Sequence, residues 1–412
     1  MATRLLKWGR IPLSAAFLFI VFAFGKPVWP QSSTLNITLT GQSMIRSDFR
    51  VNTPTAVATI SPLLKGDVIF TNFEGTVAEK GESVTQGRGF LAPPQALDAL
   101  QALGFNLVAL SDNHSFDLKV PGIQNTLREV KSRNLAHAGI GNAVEEAVAP
   151  GYLHTPKGTV ALVAMASGLI SEGGSATTTR PGVNELRIEA GGTPNESTSL
   201  LPSEPGNEPN PEDKQRILQS IRDARQHADL VIVYEHNHVF LNRPFMDLFN
   251  EELPERLAPA DWLKKWTHEE IDAGADIIVM HGAPLLHGVE IYHRRPIFYD
   301  LGNFIFNLPP TITDLDEPII WESAVAHIEF QGKNLRSITF QPIVMNKIGQ
   351  GQPDNQNPYT NNLFLQTRGL PKLATGDQAR YILERLADAS RPFGTTVEVK
   401  GDTAEIKVKD GN

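Results

Sequence analysis

Side chains that can bind metal ions or move protons follow five apolar segments of this sequence. In chain order they are Gln42, Glu74, Asn113 with His114, His236 with His238, and His281 with His287. Imidazole, carboxylate and amide groups form a nitrogen and oxygen donor set, which favours Zn, Mn, Fe or Ni over Ca. The sequence has no cysteine, so soft ions that prefer thiolates are disfavoured. We therefore predict one or two divalent transition-metal ions, Mn, Zn or Fe.

A site of this kind predicts hydrolytic chemistry. A carboxylate such as Glu74 can bridge two metals, and two ions about 3.5–4 Å apart can hold the attacking and leaving oxygens of phosphoryl transfer. A histidine that is not a ligand, such as His114, can act as general acid, with Asp117 orienting it. The predicted metal ligands are Gln42, Glu74, Asn113, His236, His281 and His287, the predicted catalytic residues are His114 and Asp117, and the further candidates are His238 and Asn303.

Each residue also has an ordinary structural interpretation. Taken singly, Glu74 is explained equally well as a carboxylate that interacts with a helix dipole, and Asn113 is better explained as a turn residue. His281 alone reads as a loop histidine. His236 and His238 share a face only if one strand continues through both, and His236 lies nearer to the strand. Taken together, these residues favour a shared functional site, because burying polar clusters at the ends of several strands is unfavourable unless the clusters interact with one another.

Alternating strands and helices must position these residues. Apolar runs predict strands at residues 35–40, 67–71, 105–110, 136–140, 158–166, 230–234 and 277–279. Helical periodicity and stop signals predict helices at residues 94–103, 121–133, 211–227 and 259–273. This order predicts an α/β fold with a sandwich of sheets flanked by helices.

The remainder of the chain is predicted to be strand-rich and then mixed. Residues 289–292 and 296–299 predict a hairpin, and residues 323–330 and 336–344 predict another. We assign residues 34–345 to one domain and residues 346–412 to a small C-terminal α+β extension of a loop, a helix at 376–390 and a hairpin. Residues 171–211 are rich in Gly, Ser, Thr, Pro and Asn, and predict a long polar loop on the surface.

Composition and the N-terminus limit the class of protein. The 412-residue chain has a net charge of −9 and no basic block in its main part, which argues against nucleic acid as a partner. Without cysteine, disulfides, thiolate catalysis and lipoprotein anchoring are excluded. Arg4, Lys7 and Arg10 precede an apolar segment at residues 11–24. Residues 1–33 therefore predict a signal peptide or N-terminal membrane anchor, and a periplasmic or extracellular location.

Five short motifs occur in order between residues 35 and 344. They are NFEG at 72–75, NHSFD at 113–117, IDAGAD at 271–276, GVEIY at 288–292 and PIFYDLGNF at 296–304. In these motifs the chain resembles the bacterial capsule-synthesis family, CapA-type and linked to poly-γ-glutamate biosynthesis, within the calcineurin-like metallophosphatase superfamily. The resemblance implies a metallophosphatase-like β-sandwich flanked by helices, with a dinuclear metal site at its strand ends.

Two positions depart from the pattern of that family. The first family motif is usually Gly-Asp and is Gly41-Gln42 here, so a neutral amide replaces a carboxylate. The last motif usually carries two close histidines, whereas here Pro284 stands where the second is expected. His287 or His238 could take its place. These departures leave open two ions, one ion or none.

Three functions remain after these observations. The first is an envelope metal-dependent hydrolase of phosphoesterase type, acting on a phosphate ester or an amide of an anionic polymer. The second is a non-hydrolytic factor that binds or exports an anionic polymer such as poly-γ-glutamate. The third is a catalytically inactive interaction module that keeps the fold and binds no metal.

Overall fold

The computed structural model describes residues 33–79, 89–189, 207–239, 256–309, 315–354, 356–357, 360 and 362–408. The predicted signal peptide or anchor, apart from its last residue, lies outside the described residues, as does the middle of the predicted polar loop, residues 190–206. Within the described part, no helix combines the length and the apolar character that crossing a bilayer requires.

A nine-stranded sheet, sheet 1, forms one half of the molecule. In spatial order its strands are Glu398–Lys400, Thr403–Lys407, Asn334–Met345, Glu322–Gln331, Thr34–Leu39, Val68–Asn72, Leu107–Ala109 and Ala136–Ala138, with Pro371–Leu373 paired to Asn334–Met345. The four strands from Thr34–Leu39 to Ala136–Ala138 are mutually parallel. Their carboxyl ends therefore lie along one edge of the sheet.

A six-stranded sheet, sheet 2, forms the other half. Its strands, in spatial order, are Val289–Tyr292, Arg295–Phe298, Ile277–His281, Leu230–Asn237, Gly158–Ser167 and Gly151–Thr155. The four inner strands run parallel. Antiparallel strands lie at both edges, and one of them is the first strand of the predicted hairpin at 289–299. Four two-stranded pairs complete the described strands: Gln42–Met44 with Asn303–Phe306, Thr76–Val77 with Leu91–Ala92, Ile140–Gly141 with Gly182–Val183, and Ile188–Glu189 with Glu208–Pro209.

Helices cover the outer faces of both sheets. The described α-helices are Phe49–Asn52, Ala56–Ile60, Gln95–Leu103, Lys119–Ser132, Val144–Val148, Pro211–His227, Asp261–Ala273, Leu363–Thr367 and Gly376–Ser390. Short 3₁₀ helices occur at Ser61–Leu63, Pro318–Trp321 and Arg391–Phe393. The five helices predicted from the sequence, which include 376–390, are all present, with ends that differ by at most two residues.

Three apolar clusters show the order of the layers. Alternate side chains of sheet 1 and sheet 2, such as Phe70 and Tyr234 with ring centroids 5.7 Å apart, meet in the central cluster. The opposite face of sheet 1 packs on Gln95–Leu103 and Lys119–Ser132, and the opposite face of sheet 2 packs on Pro211–His227 and Asp261–Ala273. The order helix, sheet, sheet, helix confirms the predicted α/β-β-α sandwich.

The prediction of a surface loop at 171–211 is wrong for residues 182–189. Residues 182–189 lie against strand Gly158–Ser167, and the backbone of Ala166 exchanges hydrogen bonds with Asn184 and Leu186. Val183, Leu186 and Ile188 are buried. The segment is predicted to be a surface loop because most of its residues are polar. Its few apolar residues are spaced so that they can turn inward and become buried.

The C-terminal residues continue the main architecture. The hairpin Glu398–Lys400 and Thr403–Lys407 extends sheet 1 at its edge. The helix Gly376–Ser390 buries Ile382, Leu383 and Leu386 in the cluster between the sheets. Residues 371–407 therefore share a sheet and a core with the predicted domain 34–345.

Two carboxyl side chains are buried together on the outer face of sheet 2. Glu235 lies between His236 and Tyr234 in sequence, and strand alternation turns it away from the sandwich core toward helix Asp261–Ala273. It accepts hydrogen bonds from Ser167 Oγ at 2.8 Å and Trp266 Nε1 at 3.1 Å. Glu270 of that helix is fully buried, and neither of its carboxyl oxygens has a hydrogen-bond partner among the described residues.

Candidate metal centre

The carboxyl ends of the parallel strands in both sheets meet at one place. His236 and His281 are register partners on neighbouring strands of sheet 2. Across the sandwich, His281 Nε2 donates to the Thr40 carbonyl of sheet 1 at 3.0 Å, and His236 reaches Asn113, which follows another sheet 1 strand. The fold therefore brings together residues that are 123 and 241 positions apart in the sequence.

His236 lies at the centre of this group. Its Nε2 is 2.9 Å from Asn113 Oδ1, 3.0 Å from His238 Nε2 and 3.9 Å from Glu74 Oε1. Its other ring nitrogen, Nδ1, is 3.1 Å from the Tyr234 hydroxyl. Three nitrogen and oxygen donors thus converge on one point, with a carboxylate beside them.

The histidines at this point are held neutral. Burial, and then the charge of His238, lower the pKa of His236 well below its ordinary value. Burial lowers the pKa of His238 to about 3. A neutral His236 has one ring proton, so its Nε2 can donate to only one of Asn113 Oδ1 and His238 Nε2 at a time. A cation at the same point can receive lone pairs from all three groups.

Two further groups at this edge carry buried atoms with no hydrogen-bond partner among the described residues. The bond to Thr40 assigns the proton of His281 to Nε2 and leaves Nδ1 as an unpartnered acceptor. Burial lowers the pKa of His281 to about 3. Gln42 Nε2 donates to Asn303 Oδ1 at 3.0 Å, which leaves Gln42 Oε1 unpartnered. Asn303 therefore positions Gln42, and its own oxygen is already used.

Three carboxyl groups at the strand ends are buried and electrostatically linked. Burial raises the pKa of Glu74 to about 7. Burial, and then the charge of Glu74, raise the pKa of Asp112 well above its ordinary value, and burial with a smaller effect of Glu74 does the same for Asp300. Among the described residues, no Lys or Arg forms an ion pair with any of the three. Their ionisation would be favoured by a cation bound near them.

His114 and Asp117 form a hydrogen-bonded pair beside this group. Asp117 Oδ2 lies 2.8 Å from His114 Nδ1 and also accepts from the Phe90 backbone at 2.5 Å. Burial alone would lower the pKa of His114, but the hydrogen bond and charge of Asp117 outweigh it and raise the pKa to about 9. His114 is therefore an imidazolium at neutral pH, and its contact with Asp117 fixes the orientation of the ring.

A cavity of about 250 Å³ opens onto these side chains. Its polar end is lined by Gln42, Glu74, Asn113, His114 and His238. The rest of its wall is mainly apolar, formed by Met44, Phe90, Leu169, Phe306, Leu308 and Leu315. Arg46 also lines it, with its guanidinium carbon 4.0 Å from the centre of the Phe90 ring and Nη2 donating to the Gly89 carbonyl.

One predicted ligand is not brought into the group. His287 is buried, and its pKa is lowered to about 4 by burial, partly opposed by a hydrogen bond with the Arg256 backbone. None of its described contacts involves the other candidates, and it does not line the cavity. The backbone N–H of His287 bonds to the Asp300 carbonyl, so the chain turns back at this residue before the hairpin.

Four residues of the site were not predicted. Tyr234 looked like an ordinary core residue of a buried strand, and Arg46 had no motif around it. Asp112 and Asp300 each stand within or beside a quoted motif, directly before Asn113 and two residues before Gly302. Their position at strand ends could have identified them, but polar residues at such positions are also common in turns.

The residues present fit a divalent transition metal. At metal–nitrogen or metal–oxygen distances of about 2.0–2.2 Å, two ligands of one ion are roughly 3 Å apart, close to the separations around His236 Nε2. The described residues contain no group of three or more His, Asp and Glu side chains arranged to hold a metal ion. An ion at this point would therefore also rely on the amide oxygens of Asn113 and Gln42.

The chain is similar to proteins of the bacterial capsule synthesis family. The family model of the bacterial capsule synthesis protein PGA_cap matches residues 36–308. Protein y4sH of Sinorhizobium fredii is 29% identical over 427 residues, which cover 84% of this chain and 87% of that protein. The PGA biosynthesis protein CapA of Bacillus subtilis is 26% identical over 213 residues, which cover 52% of this chain and 46% of that protein.

Two further comparisons are more distant. The capsule biosynthesis protein CapA of Bacillus anthracis is 24% identical over 288 residues, 67% of this chain and 61% of that protein. Among solved structures, the NAD nucleotidase of Haemophilus influenzae superposes with a TM-score of 0.36 at 11% identity, over 86% of this chain and 63% of that one. A TM-score this low carries no weight for fold or function.

Proposed function

Because the chain belongs to the bacterial capsule synthesis protein family, we propose that it is an envelope protein with a metal-dependent hydrolytic site of phosphoesterase type, acting in capsule or poly-γ-glutamate biosynthesis. His236, His238, Asn113 and Glu74 would hold the ion, with Gln42 and His281 as further ligands. His114 and Asp117 would move the proton. The ion would be Mn, Zn or Fe, since the donors are nitrogen and oxygen.

One observation supports this proposal above the others. Two neutral imidazoles and an amide oxygen meet within 3.0 Å at the wall of a cavity that also presents the His114 imidazolium. His236 and His238 are neutral imidazoles that can bind a cation, whereas His114 is a protonated imidazole that can donate a proton. A site that holds some histidines neutral and another one protonated is expected when the neutral histidines bind a cation and the protonated one acts as an acid.

The residues of this chain would divide the reaction between them. A bound divalent ion supplies Lewis-acid chemistry at the histidine cluster. His114 donates its proton to the leaving oxygen or nitrogen, and Asp117 holds the ring by its Nδ1 so that Nε2 is the donating atom. Arg46 and the His114 imidazolium attract the anionic part of the substrate. The apolar wall excludes water from the other end of the cavity.

The expected substrate is a phosphoester or an amide of an anionic polymer. A cavity of about 250 Å³ suits one unit of a chain and not a large ligand. We also propose a periplasmic or extracellular location, supported by the basic residues before the apolar segment 11–24. That segment would serve as signal or anchor. Nucleic acid is not an expected partner, because the net charge is −9.

A second function is favoured by the neutral ligand set. Gln42 contributes an amide where the family pattern has a carboxylate, and the described residues lack three clustered His, Asp or Glu ligands. Weak metal affinity would leave a cavity that presents Arg46 and the His114 imidazolium to an anion. The alternative is therefore a non-hydrolytic factor that binds or exports an anionic polymer.

The test combines metal content with turnover. The wild-type chain is loaded with Mn, Zn or Fe, passed through a desalting column and analysed by elemental mass spectrometry beside His236→Ala and the control His154→Ala, whose imidazole is exposed. We expect one or two ions per chain in the wild type and control, and none in His236→Ala. Hydrolysis of bis-(p-nitrophenyl) phosphate should follow the metal content.

The outcomes separate the two functions. Equal metal content in His236→Ala and wild type would contradict the proposed centre. Metal in the wild type without turnover of any phosphoester or polymer amide would reject hydrolysis but leave the centre. Absence of metal, together with polymer binding that survives EDTA, would favour the non-hydrolytic factor.

A further inference from the structure

A second polar cavity lies away from the candidate metal centre. It has a volume of about 310 Å³ and is formed between residues 175–187 and the first turns of helix Pro211–His227. Its lining residues are Ser175, Ala176, Thr177, Arg180, Glu185, Arg187, Asp213 and Arg216, none of which lines the cavity at the metal centre. Its size is near the lower end of small-ligand pockets.

Positive charge is in excess around this cavity. Three arginines face two carboxyl groups, so the balance is positive even when both carboxyls are ionised. Glu185 Oε2 accepts a hydrogen bond from the Ser175 hydroxyl. Burial raises the pKa of Glu185, which makes it the weaker counter-charge.

Asp213 is already fully satisfied by two of the arginines. It accepts from Arg187 Nε at 2.7 Å, Arg187 Nη2 at 3.0 Å and Arg216 Nη1 at 2.8 Å, and from the Arg187 backbone N–H. These contacts attach the segment to the helix. They explain the structural use of Arg187 and Arg216 but do not involve Arg180.

Guanidinium donors remain after this network is formed. Arg180 donates through Nη2 to the Ser175 carbonyl at 3.0 Å. Its Nε and that of Arg216 are buried without a hydrogen-bond partner among the described residues. Buried charged donors without acceptors are unfavourable, and an anion in the cavity would provide acceptors for them.

We propose that this cavity is a binding site for an oxyanion, either a phosphate or a carboxylate group of a larger ligand. Arg180 is the specificity-determining residue, because its guanidinium group makes no hydrogen bond to Asp213. The positive end of the dipole of helix Pro211–His227 adds to the attraction. The site depends neither on a metal ion nor on hydrolysis, so this proposal is independent of the proposed function and can be tested separately.

Equilibrium dialysis of the full chain tests this site with two probes. Inorganic phosphate tests a free anion, and tetraglutamate peptide tests the carboxylates of a polymer. Arg180→Gln removes the proposed donor, Arg180→Lys keeps the charge but not the fork, and Arg222→Gln removes an exposed charge from the same helix outside the cavity. His236→Ala disrupts the proposed metal centre, where a bound ion could also attract phosphate.

We expect Arg180→Gln to weaken binding of at least one probe about tenfold or more, the loss of one charge-assisted hydrogen bond. Arg180→Lys should lie between it and the wild type, and Arg222→Gln and His236→Ala should bind as the wild type does. A phosphate-only or tetraglutamate-only effect identifies the source of the anion.

Three results would overturn the site. These are no binding of either probe by the wild type at millimolar concentration, binding by Arg180→Gln equal to the wild type, or binding lost in His236→Ala alone. Thermal unfolding checks that each variant is folded. Arg180→Lys, which keeps the charge, replaces Arg180→Gln if that variant does not fold, and binding equal to the wild type would then overturn the site.

Discussion

Glu270 should make the protein less stable as the pH rises, and Glu270→Gln should remove that effect. Burial, and then the charge of Glu235, raise the pKa of Glu270 well above its ordinary value. Neither of its oxygens has a donor to stabilise the carboxylate among the described residues. The folded protein therefore keeps a proton on Glu270 at a pH where the unfolded chain has lost it.

The sign and the upper limit of this change in the free energy of unfolding follow from the coupling of proton binding to folding. A carboxyl whose folded pKa is raised contributes stability that is complete below its unfolded pKa, and this contribution is lost as the pH rises toward the folded pKa. Folding then takes up one proton, so the free energy of unfolding falls by up to about 1.4 kcal/mol per pH unit. Between pH 5.5 and 7.5 the limit is about 2.7 kcal/mol. Glutamine does not titrate, so Glu270→Gln lacks this slope.

Urea unfolding followed by tryptophan fluorescence measures the difference at several pH values. Glu269→Gln is the matched control, because Glu269 is the adjacent helical residue, is half-buried and pairs with Lys214 at the surface. Glu235, whose pKa burial raises to about 7, titrates in the same pH range, so any slope that remains in Glu270→Gln belongs to Glu235 and the other titrating groups. A difference between Glu270→Gln and wild type that stays constant with pH, or a loss of the slope in Glu269→Gln as large as that in Glu270→Gln, would refute the reasoning.

Three further changes have defined outcomes. Tyr234→Phe removes the hydroxyl 3.1 Å from His236 Nδ1 and should lower metal affinity about 10–100-fold by dialysis against a metal indicator, with unchanged thermal stability of the apoprotein. Gly282 has a φ of +131°, and a Cβ there would meet the Asn237 carbonyl at 2.0 Å. Gly282→Ala should lower the free energy of unfolding by more than about 2 kcal/mol; wild-type stability would contradict the close approach. Asp276→Asn leaves two arginines around a buried neutral amide and should cost about 3 kcal/mol in urea unfolding, an effect that high salt should not reproduce in the wild type.

The layers of the fold were predictable because each has a local sequence signature. Buried parallel strands read as apolar runs, and helices such as Gln95–Leu103 end at a glycine in the left-handed region, Gly104 at φ +109°. The rule that strand ends share an edge predicts that Asn113 and His236 lie close together, and it leaves the position of His238 open. Each of these inferences needs only neighbouring residues and a general topology.

The parts that were missed depend on contacts between distant residues. Val183, Leu186 and Ile188 are apolar residues in a polar segment, and only long-range packing makes them core: Leu186 and Ile188 pack in the cluster on sheet 2 and Val183 in the cluster on sheet 1. His287 has the same local character as His281, yet the chain turns after Pro284 and takes it away from the cluster. No spacing rule distinguishes these two histidines. The His281 ring bonds to the Thr40 carbonyl, whereas the His287 ring bonds to the Arg256 backbone.

The direction of strand Thr34–Leu39 determines how far the cavity would lie from an N-terminal membrane anchor. The chain enters this strand at Thr34 and reaches the candidate metal centre at Gln42, eight residues and roughly 25 Å further along. If residues 11–24 anchor the chain as we propose, the tether joins the sandwich at the end opposite the cavity. The cavity then lies about one strand length from the point where the tether joins the sandwich.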